Sequence, residues 1–118
     1  MPRRDTAVSV YQANDQTALI RIQGAFAIGA QAPFEQAYAQ TERAGAIVLD
    51  MSRMEYMNGY GIALLVTLLR RARTQGQRVS AFGLCEHYRT LMGLTRLDRF
   101  IQLVDSREQA LSTGLNQI

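Results

Sequence analysis

At 118 residues and 47% hydrophobic content the chain has the length of one domain around a single core, so one domain over 1–118 is expected. Its longest apolar run, Ile62 to Val66, is far below the ~20 residues that cross a bilayer, and the N-terminal MPRRDTAVSVY has charge without an apolar signal core; a cytoplasmic protein with no membrane insertion is expected. Thirteen basic residues, all arginine, against ten acidic ones leave +3, too mild a balance to demand nucleic acid, and the single Cys85 excludes an internal disulfide or a zinc site built on paired cysteines.

In chain order, Ala7 to Gln12 and Thr17 to Gln23 alternate roughly and carry β-branched residues, and the turn signal Ala13 to Asp15 between them predicts an antiparallel hairpin. Past Gly24 and Gly29, Pro33 suits the first turn of a helix whose Phe34, Ala37, Tyr38 and Thr41 recur at helical spacing until Gly45 stops it. Ala46 to Asp50 is a short apolar run ending in an acid, the pattern of an inner parallel strand. From Ile62 the residues Leu65, Val66, Leu69 and Ala72 form an apolar stripe, with Asn58 placed to cap its start and Arg70, Arg71 and Arg73 near the end that complements cations. Arg78 to Phe82 reads as a strand, Glu86 to Leu94 as a short helix and Phe100 to Val104 as a last strand. Ser106 and Gln109 then form a capping box ahead of Ala110, Leu111 and Leu115. The order ββαβαβαβα predicts an α/β fold: a mixed, mainly parallel sheet with an N-terminal antiparallel hairpin strand and four helices. In such sheets the crevice lies at the carboxyl ends of the strands, so Asp50 to Gly61 is the natural site region.

Catalytic chemistry has little to stand on. One histidine, His87, two residues from Cys85, lacks a third orienting group; Asp50 has no neighbouring carboxylate but Glu55 and reads as a cap for loop amides; GAFAIG (Gly24 to Gly29) lacks the phosphate-binding spacings. Neither an enzyme nor a cofactor or metal is expected. Arg70, Arg71, Arg73 and Arg78 read as a solvated helix end, without interleaved aromatics for stacking nucleic acid.

The run from Ala46 to Leu84, AIVLDMSRMEYMNGYGIALLVTLLRRARTQGQRVSAFGL, and the run from Tyr88 to Leu111 resemble the STAS domain of anti-sigma factor antagonists. Leu49-Asp50, Gly61, Gly76 and GLTRLDRF (Gly93 to Phe100) occupy the places of the family's short motifs. The resemblance implies a STAS-type sheet and a binding switch: the domain binds a kinase-type anti-sigma factor, which phosphorylates a serine or threonine at the start of the second helix. A phosphate brings about −1.5 to −2 charge into the contact surface and breaks it.

Laid on the family's MDSSG motif, MNGYG puts Asn58 on the aspartate, Gly59 on the first serine and Tyr60 on the phosphoacceptor. A phenol reaches about a ring's width further than a serine hydroxyl, and a misplacement of ~1 Å can cost ~100-fold, so phosphorylation by the usual kinase is not expected at Tyr60. The expected partner surface comprises Asp50, Ser52, Met54, Met57, Asn58, Gly59, Tyr60, Gly61 and Leu64. Tyr60 reads either as an apolar lid over Met57 and Tyr56 or as an exposed anchor. Ser52, beside Arg53, reads as a turn hydroxyl bonded to local backbone. Two other functions stay open: a scaffold or transport-accessory STAS subunit, and a nucleotide or small-ligand sensor using the amides near Gly59 to Gly61.

Overall fold

The computed structural model describes residues 6–116, with side chains as far as residue 112, so the Leu115 side chain lies outside the described residues. Among these, β1 (Ala7–Gln12), β2 (Thr17–Phe26), β3 (Ala46–Met57), β4 (Arg78–Phe82) and β5 (Gln102–Leu103) form one sheet in that order. The helices are α1 (Gln31–Ala39), α2 (Gly59–Thr74), α3 (Glu86–Leu94) and α4 (Arg107–Asn116), with short 3-10 turns at Ile28–Ala30 and Leu97–Arg99. β1 and β2 pair antiparallel and every later neighbour is parallel. The predicted hairpin closes on Asn14, whose side-chain oxygen accepts the Gln16 amide at 2.9 Å, a turn chemistry that asparagine supplies by itself.

The three parallel connections all step the same way across the sheet. Crossovers of one hand must then lay α1, α2 and α3 on the same face, and they do. Ile20, Ile22, Ile47, Leu49, Met51, Val79 and Ala81 meet Phe34, Tyr38, Leu65, Leu69 and Met92 in one core. The alternate strand positions Leu19 and Val48 meet Val104 and Ala110 in a smaller core under α4. Period-2 alternation in strands covered on both faces is why these segments read as continuous apolar runs.

Three boundaries differ from expectation. β3 continues seven residues past Asp50, to Met57, because β2 also runs on to Phe26 and pairs with it through Phe26↔Met57, with register shifts on the way. Beyond Met51 most of β3 is exposed on either side, so Ser-Arg-Met-Glu-Tyr has no apolar pattern to betray a strand. β5 shrinks to two residues, since Phe100 closes the preceding 3-10 turn instead of joining β4. α1 stops at Ala39, and Thr41 is buried beyond it, its hydroxyl donating to the Tyr38 carbonyl at 2.8 Å.

Below the sheet, at the amino ends of the parallel strands, Gln77 ties the segment after α1 to the turn after α2. Its side-chain nitrogen donates to the carbonyls of Thr41 (2.8 Å) and Ala44 (2.9 Å), and its oxygen accepts the Tyr38 hydroxyl (2.9 Å). Burial, with Glu42 nearby, pushes the Tyr38 phenol above its ordinary value, which keeps it a donor.

Candidate functional site

The start of α2 is built by Asn58. Its backbone is extended, as a cap requires, and its side-chain oxygen accepts the amides of Tyr60 (3.0 Å) and Gly61 (3.3 Å), two of the donors a helix start leaves unpaired. Gly61 is buried against the Phe26 carbonyl, and the Met57 amide donates to the Tyr88 hydroxyl at 3.0 Å, so β2, β3 and α3 all fix this corner. Tyr60 is 58% exposed. It lines a hollow of about 190 Å³ with Ile28, Gln31, Glu35, Leu64 and Thr67, between α2 and the shoulder before α1. Ile28 at its rim is 61% exposed. The Tyr60 ring therefore stands more than half exposed at the start of α2.

The nine expected surface residues therefore separate into three environments. Asn58, Gly59, Tyr60 and Leu64 share the corner at the start of α2. Met57 and Gly61 are buried beneath it and Met54 is half-buried. Asp50 and Ser52 lie elsewhere: seven residues of strand put Asp50 ~20 Å from Met57. Asp50 also alternates with the strand residues that pack under α1 to α3, so it points to the α4 face.

There Asp50 is nearly buried and pairs with Arg21, its neighbour across β2 and β3, at 2.9 Å. Its other oxygen accepts the Ser52 amide (3.0 Å) and hydroxyl (2.6 Å), so Ser52 bonds a side chain instead of the turn backbone expected of it. The Arg21 guanidinium also lies over the Tyr11 ring, 5.0 Å from its centre. Burial pushes the Asp50 carboxyl up, but the hydrogen bonds from Ser52 and the Arg21 pair outweigh it and hold the carboxyl below its ordinary value.

The sign of the pH dependence follows. The unfolded carboxyl, near ~3.9, binds a proton more readily than the folded one, so this stabilisation is whole above that value and is lost as pH falls through the folded value. Asp50→Ala is expected to cost about 2–3 kcal/mol at pH 7, because it strips the acceptor from Ser52 and the counter-charge from Arg21. Thermal melts from pH 7 to 3 should show a shallower acid-limb loss in Asp50→Asn than in the natural chain; identical acid limbs would refute the assignment.

Arg21, Ile28 and Tyr88 were not legible as site residues, since each reaches its partner across a long stretch of chain. Among the described residues no group of three or more His, Cys, Asp or Glu side chains is placed to hold a metal ion. Cys85 is exposed at the start of α3, and His87 stands edge-on to Tyr88 with ring centres 4.9 Å apart. No described helix is long and apolar enough to cross a membrane.

The protein-family model described as "Mlab, STAS domain" matches residues 9–105. Among solved structures, the anti-sigma factor antagonist SpoIIAA in its unphosphorylated form is 15% identical, with a TM-score of 0.75 over 95% of this chain and 100% of that one. An anti-sigma factor antagonist from Mycobacterium paratuberculosis is 18% identical, with a TM-score of 0.80 over 95% and 96%. A serine-to-glutamate variant of RsbS from Moorella thermoacetica is 16% identical, with a TM-score of 0.78 over 94% and 98%. At these identities the structures share a fold with this chain, and the family match covers most of it. The chain belongs to the STAS domain family, with the architecture of the anti-sigma factor antagonists.

Proposed function

We propose that this STAS domain is a non-enzymatic, protein-binding regulator of the anti-sigma factor antagonist type, one that docks a kinase-type anti-sigma factor and cannot be switched off at the usual position. The docking surface is centred on Tyr60 with Asn58, Gly59 and Leu64, backed by Met54, Met57 and Gly61; Asp50 and Ser52 hold the strand that carries it. The observation that supports this most directly is Tyr60 itself, exposed in the first turn of α2 at the place that the resemblance to the family's MDSSG motif gives to a serine. A half-exposed aromatic ring beside Ile28 and Leu64 suits an interface anchor, since aromatics bring large contact area at low entropic cost. SpoIIAA has been solved both unphosphorylated and phosphorylated, so a phosphate is accommodated on this fold in that protein.

The sensor reading is weakened by the cap. Asn58 already occupies the Tyr60 and Gly61 amides that would have to receive a nucleotide phosphate. Calorimetry with ATP and GTP is expected to show no heat of binding. A scaffold or transport-accessory subunit would use the same surface without a switch, and an adjacent permease or ATPase gene would favour that role.

The test is to mix the chain, or its Tyr60→Ser variant, with a kinase-type anti-sigma factor encoded in the same genome, and to follow the complex by size-exclusion chromatography and phosphate by mass spectrometry. The natural chain should form a complex that survives ATP, whereas the serine variant should release on ATP. Phosphate on Tyr60 would sink the lost-switch claim, and no complex under any condition would sink the antagonist reading.

A further inference from the structure

A second surface lies at the opposite end of α2, ~20 Å from Tyr60 along the helix. The 3-10 turn Leu97–Arg99 packs beside the last turns of α2, and between them is an apolar hollow of about 150 Å³ floored by Val66, Leu69 and Leu97. Arg70 and Arg73 from α2 rim it on one side. Phe100 stands on the other, 51% exposed, with the Arg73 guanidinium 5.5 Å from its ring centre. The hollow shares Leu69, Arg73 and Phe100 with a wider cleft of about 650 Å³ where Arg78 and Arg99 add further cations and Asp98 the one acid.

Helix-dipole complementation explains Arg70 and Arg73 but not this assembly, because Arg99 and Phe100 arrive from a different element. The chain is brought there by Arg96, the one non-glycine with positive φ among the described residues (63°). That left-handed residue reverses the chain at the end of α3 and turns Leu97 inward while leaving Phe100 out. Neither Arg70 nor Arg99 has an ion-pair partner among the described residues. An aromatic ring in the middle of unpaired guanidinium groups, over a hollow that accepts one leucine- or phenylalanine-sized side chain, is the composition of an interface hot spot and not of a solvated helix end. Nucleic acid fits it poorly, since a phosphate chain needs cations in rows and several stacking rings.

We propose that this cleft is a second docking site, which takes a short acidic segment of a partner protein: one aliphatic or aromatic side chain enters the hollow and flanking carboxylates pair with Arg70, Arg73 and Arg99. It is independent of the surface at Tyr60.

Fluorescence anisotropy on the full chain tests it, with fluorescein-labelled eight-residue peptides. One carries a central Leu-Phe pair flanked by Asp and Glu, a second replaces that pair by serines, and a third replaces the acids by lysines. The first should bind, more weakly as salt rises. Its affinity should drop at least tenfold in the Arg70→Glu/Arg99→Glu double variant and in Phe100→Ser, all at exposed positions, with melting curves that show the fold intact. The two control peptides should lose a similar amount, and Tyr60→Ala should bind like the natural chain. Absence of binding at millimolar peptide, binding that survives the charge reversal, or equal competition by inorganic phosphate or by duplex DNA would overturn the proposal.

Discussion

Replacing Gln77 by leucine is expected to lower the stability of the fold by about 4 kcal/mol, one of the two largest effects in this chain. Leucine fills nearly the same volume, so the loss is one of polar partners and not of packing. Two groups are abandoned outright, the carbonyl of Ala44 and the hydroxyl of Tyr38, in a residue only 2% exposed, while the carbonyl of Thr41 loses one of its two donors and keeps the Ala44 amide at 3.0 Å. Each buried polar group left unpaired costs ~1–3 kcal/mol, and some relief from water near exposed Glu42 keeps the sum in the middle of the range. Urea titration should show a lower midpoint with an unchanged slope, and the melting temperature should fall by roughly 15 °C. Tyr38→Phe alone should cost about 1 kcal/mol, and added to Gln77→Leu it should cost almost nothing more, because the hydroxyl has already lost its acceptor. Additive losses would show that the three bonds are not one network.

How much of this molecule was legible in the sequence varies by element. α2 announces itself because capping and burial agree: Asn58 accepts the first amides, and the stripe through Leu65, Leu69 and Ala72 is the buried face. β4 and α3 run where periodicity puts them, Arg78–Phe82 and Glu86–Leu94. The second half of β3 was hidden for a physical reason. It is a strand by virtue of its hydrogen bonds to β2, and with most of it exposed it has no alternation to read. Asp50 to Leu64 is contiguous in sequence, but an extended chain carries Asp50 away from Tyr60, and its partner Arg21 is 29 positions distant. For Tyr60 the sequence left a lid and an exposed ring open, and the fold leaves the ring exposed at the second helical position after Asn58. The cleft at Phe100 was not. Four arginines in one stretch look like a solvated end until the fold sets an aromatic ring from residue 100 beside Arg73.

Gly61→Ala is the other change expected to be severe, and two opposing effects decide its sign. In an exposed helix the substitution would help by ~0.5–1 kcal/mol, through helix propensity and a less disordered unfolded chain. At Gly61 the added methyl would fall well inside contact with the Phe26 carbonyl oxygen, 3.0 Å from its carbon and 2.9 Å from Met57 Cγ. Phe26 is fully buried at the end of β2 and cannot give way, so the start of α2 must lift from the sheet. Overpacking of this kind costs ~1–3 kcal/mol and sometimes more, and backbone as the obstacle puts Gly61 at the upper end; a net loss of about 3 kcal/mol is expected. Gly59, two residues earlier, has nothing within 4 Å of the same methyl position. Gly59→Ala should therefore be neutral or slightly stabilising, and the pair separates steric exclusion from helix propensity in one pair of thermal melts. Lifting α2 also moves Tyr60 relative to Ile28, so the Gly61→Ala chain that remains folded should bind the proposed anti-sigma partner at least tenfold more weakly. A Gly61→Ala chain as stable as the natural one would mean that α2 is free to stand off from Phe26, and the proposed docking corner would then have no fixed geometry for a partner to recognise.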